Sequence, residues 1–159
     1  MEEILKILEA NARTPHDTIA TMTGLAVDEV DRIVQEAEAN RTIVKYRTLV
    51  DWQRLGRHEV WALIEVKIVP ERDVGFDSIA ERIYRFPEAR SVYLVSGAYD
   101  LAVIVTASDI YEVSSFVSDK LSTIDGVTGT MTHFLLKRYK EDHEVLVGQD
   151  DDRRQPVTP

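Results

Sequence analysis

The fold of this chain is decided by residues 91–105, which read SVYLVSGAYDLAVIV. Two short runs rich in Val, Ile, Leu and Tyr flank a four-residue break from Gly97 to Asp100, and such runs are typical of β-strands. The link predicts a hairpin, because Gly97 can adopt a positive φ and Asp100 can bind nearby backbone N–H groups. The break is either a plain turn or a turn that also binds a ligand, and the rest of the chain bears on that choice.

The chain from residue 60 onward falls into two similar halves, which this hairpin joins. Each half predicts a strand, a helix and a strand. The predicted strands are 61–69, 91–96, 101–106 and 127–137, and the predicted helices are 77–86 and 109–122, the second with Ser108 as its N-cap. The order βαββαβ is that of the ferredoxin-like fold, in which both helices cover one face of a four-stranded antiparallel sheet.

The first 40 residues predict three short helices, the third of them over 27–39 with Val27 on its inner face. Ala20, Gly24 and Val30 have the spacing of a helix-turn-helix, in which a small residue lets two helices touch, Gly makes the turn and Val packs beneath. The other core positions of that pattern hold Ile19, Leu25 and Ile33. Three short helices that form no such motif are the alternative.

The predicted architecture is α+β, with an N-terminal three-helix helix-turn-helix domain, a linking strand and a C-terminal ferredoxin-like βαββαβ domain. The expected bounds are 1–42 for the helical domain, 43–59 for the connector, 60–140 for the ferredoxin-like domain and 141–159 for a polar tail that is mobile at its end. Acids outnumber bases nine to three in residues 1–40, whereas residues 41–58 carry five bases and one acid.

Composition limits the function classes. The net charge of −9 argues against nonspecific binding of nucleic acid through bulk charge. The chain has no Cys and no apolar run long enough for a membrane span, which fits a cytoplasmic protein. Its four histidines lie far apart, so we predict no metal, no cofactor and no catalytic residues. His133 is of most interest, because the predicted last strand brings it near the hairpin.

Residues 101–105 of the third predicted strand are apolar on both alternating faces, although helices cover only one face of such a sheet. Further apolar side chains expected outside the core are Trp61, Leu63, Tyr93, Val95 and Phe134. An exposed apolar sheet face usually marks a protein interface, so we predict a homodimer that associates sheet to sheet.

A ligand site is predicted around the hairpin. Asp100 can accept from an ammonium group, and free backbone N–H groups near Gly97 can hold a carboxylate. Thr128, Thr130 and Thr132 alternate onto one face of the last strand and offer hydroxyls, unless they are there only because Thr favours strands. Such groups at a subunit junction suit a small zwitterion.

Five segments, taken in order and spacing, resemble one known family. They are residues 19–30, 51–56 (DWQRLG), 96–101 (SGAYDL), 120–127 (KLSTIDGV) and 134–137 (FLLK). Over nearly its whole length the chain resembles the Lrp/AsnC-type, or feast/famine, transcriptional regulators. The resemblance implies an N-terminal DNA-binding domain, a C-terminal amino-acid-sensing domain, and dimers that assemble into octamers or larger discs.

The resemblance also implies roles for particular residues. The effector site would hold Gly97, Ala98, Tyr99 and Asp100, with Thr130 and Thr132 as further contacts. The DNA-binding surface would hold Arg32, Gln35, Arg41, Lys45, Arg47 and Arg54.

The third helix departs from the family, in which it usually begins with small polar residues and carries several bases. Asp28, Glu29 and Asp31 cluster near its start, where acids favour the helix dipole but repel DNA phosphates. We therefore expect a DNA-binding regulator gated by an amino acid, with a sensor that binds DNA weakly or not at all as the alternative. An enzyme is disfavoured, because haem-precursor decarboxylases of similar architecture carry His and Asn at the position of Gly97–Asp100.

Overall fold

The computed structural model describes residues 1–69 and 75–147. The chain forms two compact units, one over Met1–Val50 and one that begins at Asp51. No helix in the described part is long and apolar enough to cross a membrane.

The first unit contains three helices, α1 (Glu2–Ala10), α2 (His16–Thr23) and α3 (Val27–Ala39). Gly24 ends α2 in the left-handed conformation, with φ of 71°, and its N–H donates to the carbonyl of Ala20. A non-glycine residue is strained in that conformation, so Gly24 makes the turn into α3.

The core of this unit confirms the helix-turn-helix pattern. Its buried residues are Ile4, Leu8, Ile19, Ala20, Val30, Ile33 and Val34, with Ile7, Leu25 and Ile43 packed against them. The placement of Val27 on the inner face was wrong, since its side chain is 42% exposed at the first position of α3.

The linking strand predicted within 43–59 does not form. Ile43 packs on the helical core, and its N–H donates to the carbonyl of Ala37 at 2.9 Å. Residues 44–50 have no regular secondary structure, because no strand of the described chain lies beside them to take their backbone hydrogen bonds. Trp52–Leu55 forms a short 3-10 helix, which Asp51 caps by accepting from the N–H of Gln53.

The second unit is built on a four-stranded antiparallel sheet. Its strands are β1 (Val60–Ile68), β2 (Ala89–Leu94), β3 (Leu101–Ala107) and β4 (Val127–Leu135), in the order β2-β3-β1-β4. Its helices are α4 (Gly75–Tyr84) and α5 (Ile110–Ser115), and the latter continues as a π-helix over Phe116–Leu121. This arrangement confirms the ferredoxin-like prediction. A two-stranded hairpin follows, β5 (Lys140–Glu141) with β6 (Glu144–Val145).

Register gives the sheet one covered face and one open face. Val66 pairs with Leu101 on one side and with Thr130 on the other, so these side chains share a face. The covered face packs on the helices through buried residues that include Ala62, Ile64, Val66, Leu101, Val103, Val105, Ile83 and Phe116. The open face carries Leu63, Glu65, Ala102, Ile104, Met131 and His133.

The cap of α5 differs from the prediction. Asp109, and not Ser108, caps α5, since its carboxylate accepts from the N–H of Glu112 at 2.9 Å. Glu112 in turn accepts from Ser108, which completes a reciprocal cap. Of the predicted tail, residues 148–159 lie outside the described part of the chain.

Candidate effector site and nucleic-acid interface

The turn between β2 and β3 is closed by Asp100. Its carbonyl accepts from the N–H of Val95 at 2.9 Å, and its N–H donates to the carbonyl of Val66 at 3.0 Å. Its carboxylate Oδ2 accepts from the backbone N–H of Ile68 at 2.8 Å. One of the two carboxylate oxygens, Oδ2, therefore holds the turn on β1.

The tip of the turn is open to solvent. Gly97 and Ala98 are exposed and Tyr99 is half-buried. A Cβ built on Gly97 would meet no atom within 4 Å. Among the described residues, neither Gly97 nor Ala98 donates its N–H to another backbone group. Two backbone donors at an open turn are suited to binding a carboxylate.

Thr130 and Thr132 lie on β4, which is separated by β1 from the strand β3 that follows the turn. Thr130 pairs with Val66, which also pairs with Leu101 next to Asp100. Because β1 lies between them, the backbones of β3 and β4 are about 10 Å apart at this level. Thr132 pairs with Ile64 and lies two pairs further from the turn, while Thr128 donates to the carbonyl of Lys67. The structure thus brings Thr130 to the same end of the sheet as the turn.

The open face of the sheet is apolar around one polar pair. Glu65 Oε1 lies 3.0 Å from His133 Nε2. The surrounding side chains are Leu63, Tyr93, Ala102, Ile104 and Met131. His133 belongs to this pair and pairs across strands with Leu63, so it does not approach the hairpin as expected.

Of the five apolar side chains expected outside the core, only Trp61 is buried. Trp61 is only 8% exposed, because the guanidinium carbons of Arg90 and Arg138 each lie 4.3 Å from its ring centroid. Phe134 pairs with Ala62 on the covered side of the sheet, but it is 41% exposed and lies outside the core as expected. Val95 lies in the turn after β2.

The outer face of α3 carries Arg32 and Gln35. Both side chains are exposed and, three residues apart, lie on the same side of the helix, opposite its buried residues Val30 and Ile33. Arg41 follows the helix with φ of 61°, and exposed Lys45 and Arg47 lie in the irregular segment beyond. Five of the six residues predicted to contact DNA therefore lie in the first unit, on α3 and the residues directly after it. The sixth, Arg54, lies in the 3-10 helix of the second unit and pairs with Asp51.

Two of the five carboxylates of α3 have partners in the same unit. Asp31 contacts the ring Nδ1 of His16 on α2, and Glu38 accepts from the hydroxyl of Tyr46 at 2.9 Å. Burial raises the pKa of Tyr46 above its ordinary value, and the hydrogen bond to Glu38 raises it further. Asp28 and Glu29 are exposed at the start of the helix. The acidic helix therefore presents fewer free carboxylates than its sequence suggests.

Comparison with known proteins identifies the family. Residues 61–145 match the family model described as the Lrp/AsnC ligand binding domain. Over 158 residues the chain is 50% identical to the "Uncharacterized HTH-type transcriptional regulator YugG" of Bacillus subtilis, covering 99% of this chain and 95% of the relative. The chain belongs to the Lrp/AsnC family. It is also 29% identical over 146 residues to the HTH-type transcriptional regulator FL11 of Pyrococcus horikoshii, covering 92% of this chain and 93% of the relative.

Solved structures of Lrp/AsnC regulators share the fold. Escherichia coli AsnC superposes with a TM-score of 0.68 at 23% identity, covering 87% of this chain and 91% of that one. A feast or famine regulatory protein of Mycobacterium tuberculosis, complexed with L-methionine, superposes with a TM-score of 0.72 at 20% identity, covering 90% of this chain and 94% of that one. A regulator–L-Met complex from Neisseria meningitidis gives a TM-score of 0.70 at 24% identity, with 87% and 89% covered.

Membership of the Lrp/AsnC family confirms that this chain is a transcriptional regulator and not an enzyme. Within residues 1–69 and 75–147, no cluster of three or more His, Asp or Glu side chains is placed to hold a metal ion.

Several residues that shape these sites escaped the sequence analysis. Ile68 anchors the turn through its backbone, so no side-chain pattern marks it. Arg90 and Arg138 lie far apart in the sequence, and only the fold brings both to Trp61. The sequence offered one indication that His16 contacts an acid of α3. It is the first residue of α2, the helix that directly precedes the acidic helix α3.

Proposed function

We propose that this Lrp/AsnC regulator binds a specific DNA sequence through its first unit and an amino acid through its second. The observation that supports it best is the exposed pair Arg32 and Gln35 on α3 of an intact helix-turn-helix. In such motifs the second helix lies in the major groove, where Arg reads guanine and Gln reads adenine.

The contacts to the DNA backbone are assigned to Arg41, Lys45 and Arg47. These bases follow α3 directly and are exposed. Phosphate contacts of this kind supply most of the affinity and make it depend on salt.

The effector site is assigned to Gly97, Ala98, Tyr99 and Asp100, with Thr130 and Thr132. Asp100 Oδ1 would accept from the ammonium group of an amino acid, and the N–H groups of Gly97 and Ala98 would donate to its carboxylate. Methionine is the first amino acid to test, since two structural neighbours carry it. The turn and the threonines lie about 10 Å apart, so a second subunit would complete the site.

A homodimer through the open sheet face is the proposed unit of assembly, and dimers would associate further into an octamer. The open face has half-buried Leu63 and Ile104 at its middle and exposed Tyr93 and Met131 around them. Such an apolar face is suited to covering by a second copy.

The proposed bounds are 1–42 for DNA binding, 43–59 for the connector, 60–140 for sensing and oligomerisation, and 141–159 for the tail. A regulator acts where its DNA is, so we place the protein in the cytoplasm.

Two experiments test the proposal. The first selects duplexes from a randomised library with the parent protein and measures their affinity by fluorescence anisotropy at several salt concentrations. Specific, salt-dependent binding supports the regulator, and no binding even at low salt favours the alternative, a sensor of the same fold that acts without DNA. The five acids of α3 are the observation behind that alternative.

The second experiment is a thermal-shift screen of the twenty amino acids. A ligand present at 100 times its Kd adds about 2.7 kcal/mol to the stability of the folded protein, which raises Tm measurably. If no amino acid shifts Tm, the assigned effector site is wrong.

A further inference from the structure

The helix that would enter the major groove carries five carboxylates and one guanidinium. Negative charge on that helix opposes DNA binding, because its carboxylates repel the DNA phosphates that the Arg and Lys side chains attract. In the structure, one of these carboxylates is held by a residue of the neighbouring helix. His16, the first residue of α2, contacts the carboxylate of Asp31 on α3 through its ring Nδ1.

We propose that His16 is a positioning residue for DNA binding, which holds the Asp31 carboxylate against α2 and away from the phosphates. The inference rests on the proposed DNA-binding function and extends it to a residue outside the recognition helix.

The position of the pair supports this role. Val30, which precedes Asp31, is buried in the core, and Arg32, which follows it, points outward. The side chain of Asp31 lies between these two directions, on the side of α3 that faces α2, because it contacts His16 there. In a helix-turn-helix the first helix of the motif crosses the DNA backbone while the second reads bases. The junction between α2 and α3, where His16 and Asp31 meet, is therefore where a free carboxylate would meet a phosphate.

The solvent exposure of His16 and Asp31 is compatible with this positioning role. The side chains of His16 and Asp31 are 39% and 45% exposed, so the contact lies at the surface and not in the core. Because the contact is exposed, it contributes little to the stability of the fold. We expect it to have a larger effect on the electrostatic potential at the surface of α3. Glu38 on the same helix is likewise held by Tyr46, which shows the same arrangement at the other end.

The test is a double-mutant cycle on DNA affinity. Parent, His16→Ala, Asp31→Asn and the double variant are each titrated against a labelled duplex that the parent protein selected from a random library. At about 0.05 M salt, His16→Ala is expected to weaken binding about two- to fivefold, because one carboxylate becomes free to approach a phosphate. Asp31→Asn should bind at least as tightly as the parent, and the double variant should match Asp31→Asn.

Two controls separate this role from a structural one. Glu29→Gln removes an exposed carboxylate of α3, and its gain in affinity should be the same in the parent and in the His16→Ala background, because the described hydrogen bond and ion pair of His16 go to Asp31 and not to Glu29. His16→Gln keeps an N–H donor for Asp31 and should retain most of the affinity if holding the carboxylate is the role of His16. Circular dichroism verifies that each variant is folded.

The outcomes are distinct. If His16→Ala weakens binding equally in the parent and in the Asp31→Asn background, His16 contacts DNA itself and the inference is overturned. If Asp31→Asn weakens binding, Asp31 is a DNA contact and the inference is likewise overturned. If the parent selects no duplex, DNA binding itself fails, and the inference fails with it.

Discussion

The carboxylate of Asp100 accepts a hydrogen bond from the backbone N–H of Ile68 at 2.8 Å and thereby ties the turn after β2 to the central strand β1. The two residues are 32 positions apart in the sequence. The turn is thus fixed by the same carboxylate that the proposed effector site uses, so its structural and binding roles have to be measured separately.

Substitutions at Asp100 separate the two roles. Asp100→Ala is expected to lower the free energy of unfolding by about 1–3 kcal/mol, because the N–H of Ile68 loses its acceptor. Asp100→Asn keeps an acceptor oxygen, so its stability in urea should stay within about 1 kcal/mol of the parent. The same Asn variant lacks the charge for an ammonium group and should lose the thermal shift that the effector produces. An unchanged stability of Asp100→Ala would contradict the structural role.

The sequence predicted the elements of the fold because they depend on local patterns. The spacing of Ala20, Gly24 and Val30 predicted a helix-turn-helix, and the apolar runs on both sides of Gly97 predicted the hairpin; both are present. The prediction of a linking strand was wrong because a strand requires a neighbouring strand for its backbone hydrogen bonds. Residues 44–50 pair with no strand of the described chain. Propensity alone does not supply that partner.

The candidate sites could be predicted only in part. The residues of the turn were identifiable, but the bond from Ile68 to Asp100 depends on the register of β1 against β3. Trp61 was expected at the surface as an apolar residue of a strand, and only the fold places Arg90 and Arg138 against its ring. The acidity of α3 was evident, whereas the contact of Asp31 with His16 required the packing of two helices.

Gly126 is expected to tolerate Ala less well than other glycines with positive φ. A Cβ at Gly126 would lie 2.6 Å from Cδ1 of Ile79 and 3.3 Å from the carbonyl oxygen of Val69, at φ of 92°. Gly56 has φ of 72°, and its Cβ would meet nothing within 4 Å, so Gly56→Ala measures the backbone strain alone, about 1–2 kcal/mol. Gly126→Ala should cost about 1–3 kcal/mol more, measured by urea denaturation. Equal costs would show that Ile79 moves aside freely.

The contact between Lys120 and Glu88 predicts a dependence of stability on pH. The hydrogen bond from the Lys120 ammonium holds the pKa of Glu88 below its ordinary value of 4.5, although burial of the carboxyl acts in the opposite direction. A depressed pKa in the folded state gives stability that is present above pH 4.5 and is lost as pH falls through the folded value. Lys120→Met should therefore be less stable than the parent by about 1 kcal/mol at pH 7, and the difference should shrink in acid.

The matched control for Lys120 is Arg85→Met. Arg85 pairs with Glu81 at 2.5 Å, but both side chains are largely exposed, at 71% and 47%. Such a pair contributes little, so its removal should leave the pH profile unchanged. A difference between Lys120→Met and the parent that persists below the titration of Glu88 would assign the effect to the contact of Lys120 with the Phe86 ring instead.

The open sheet face predicts where a charge would break the proposed dimer. Ile104 pairs across strands with Leu63 in the middle of that face and is half-buried. Ile104→Asp is expected to shift the sedimentation coefficient of the protein to that of a monomer at micromolar concentration, because a carboxylate buried in an apolar interface is strongly unfavourable. Leu136→Asp is the control, since Leu136 is 94% exposed beyond the end of β4. A parent chain that sediments as a monomer would refute the proposed interface.

The threonines of β4 predict a graded loss of effector binding. Thr130→Val keeps the shape of the side chain and removes only its hydroxyl, so a lost hydrogen bond of about 0.5–1.5 kcal/mol should raise the Kd about two- to thirteenfold in calorimetric titration. Thr132→Val should have a smaller effect, because Thr132 pairs with Ile64, two pairs further from the turn. Thr128→Val is the matched control, since its hydroxyl already donates to the carbonyl of Lys67. Equal Kd values for all three variants and the parent would remove β4 from the effector site and leave the turn from Gly97 to Asp100 as its sole part in this subunit.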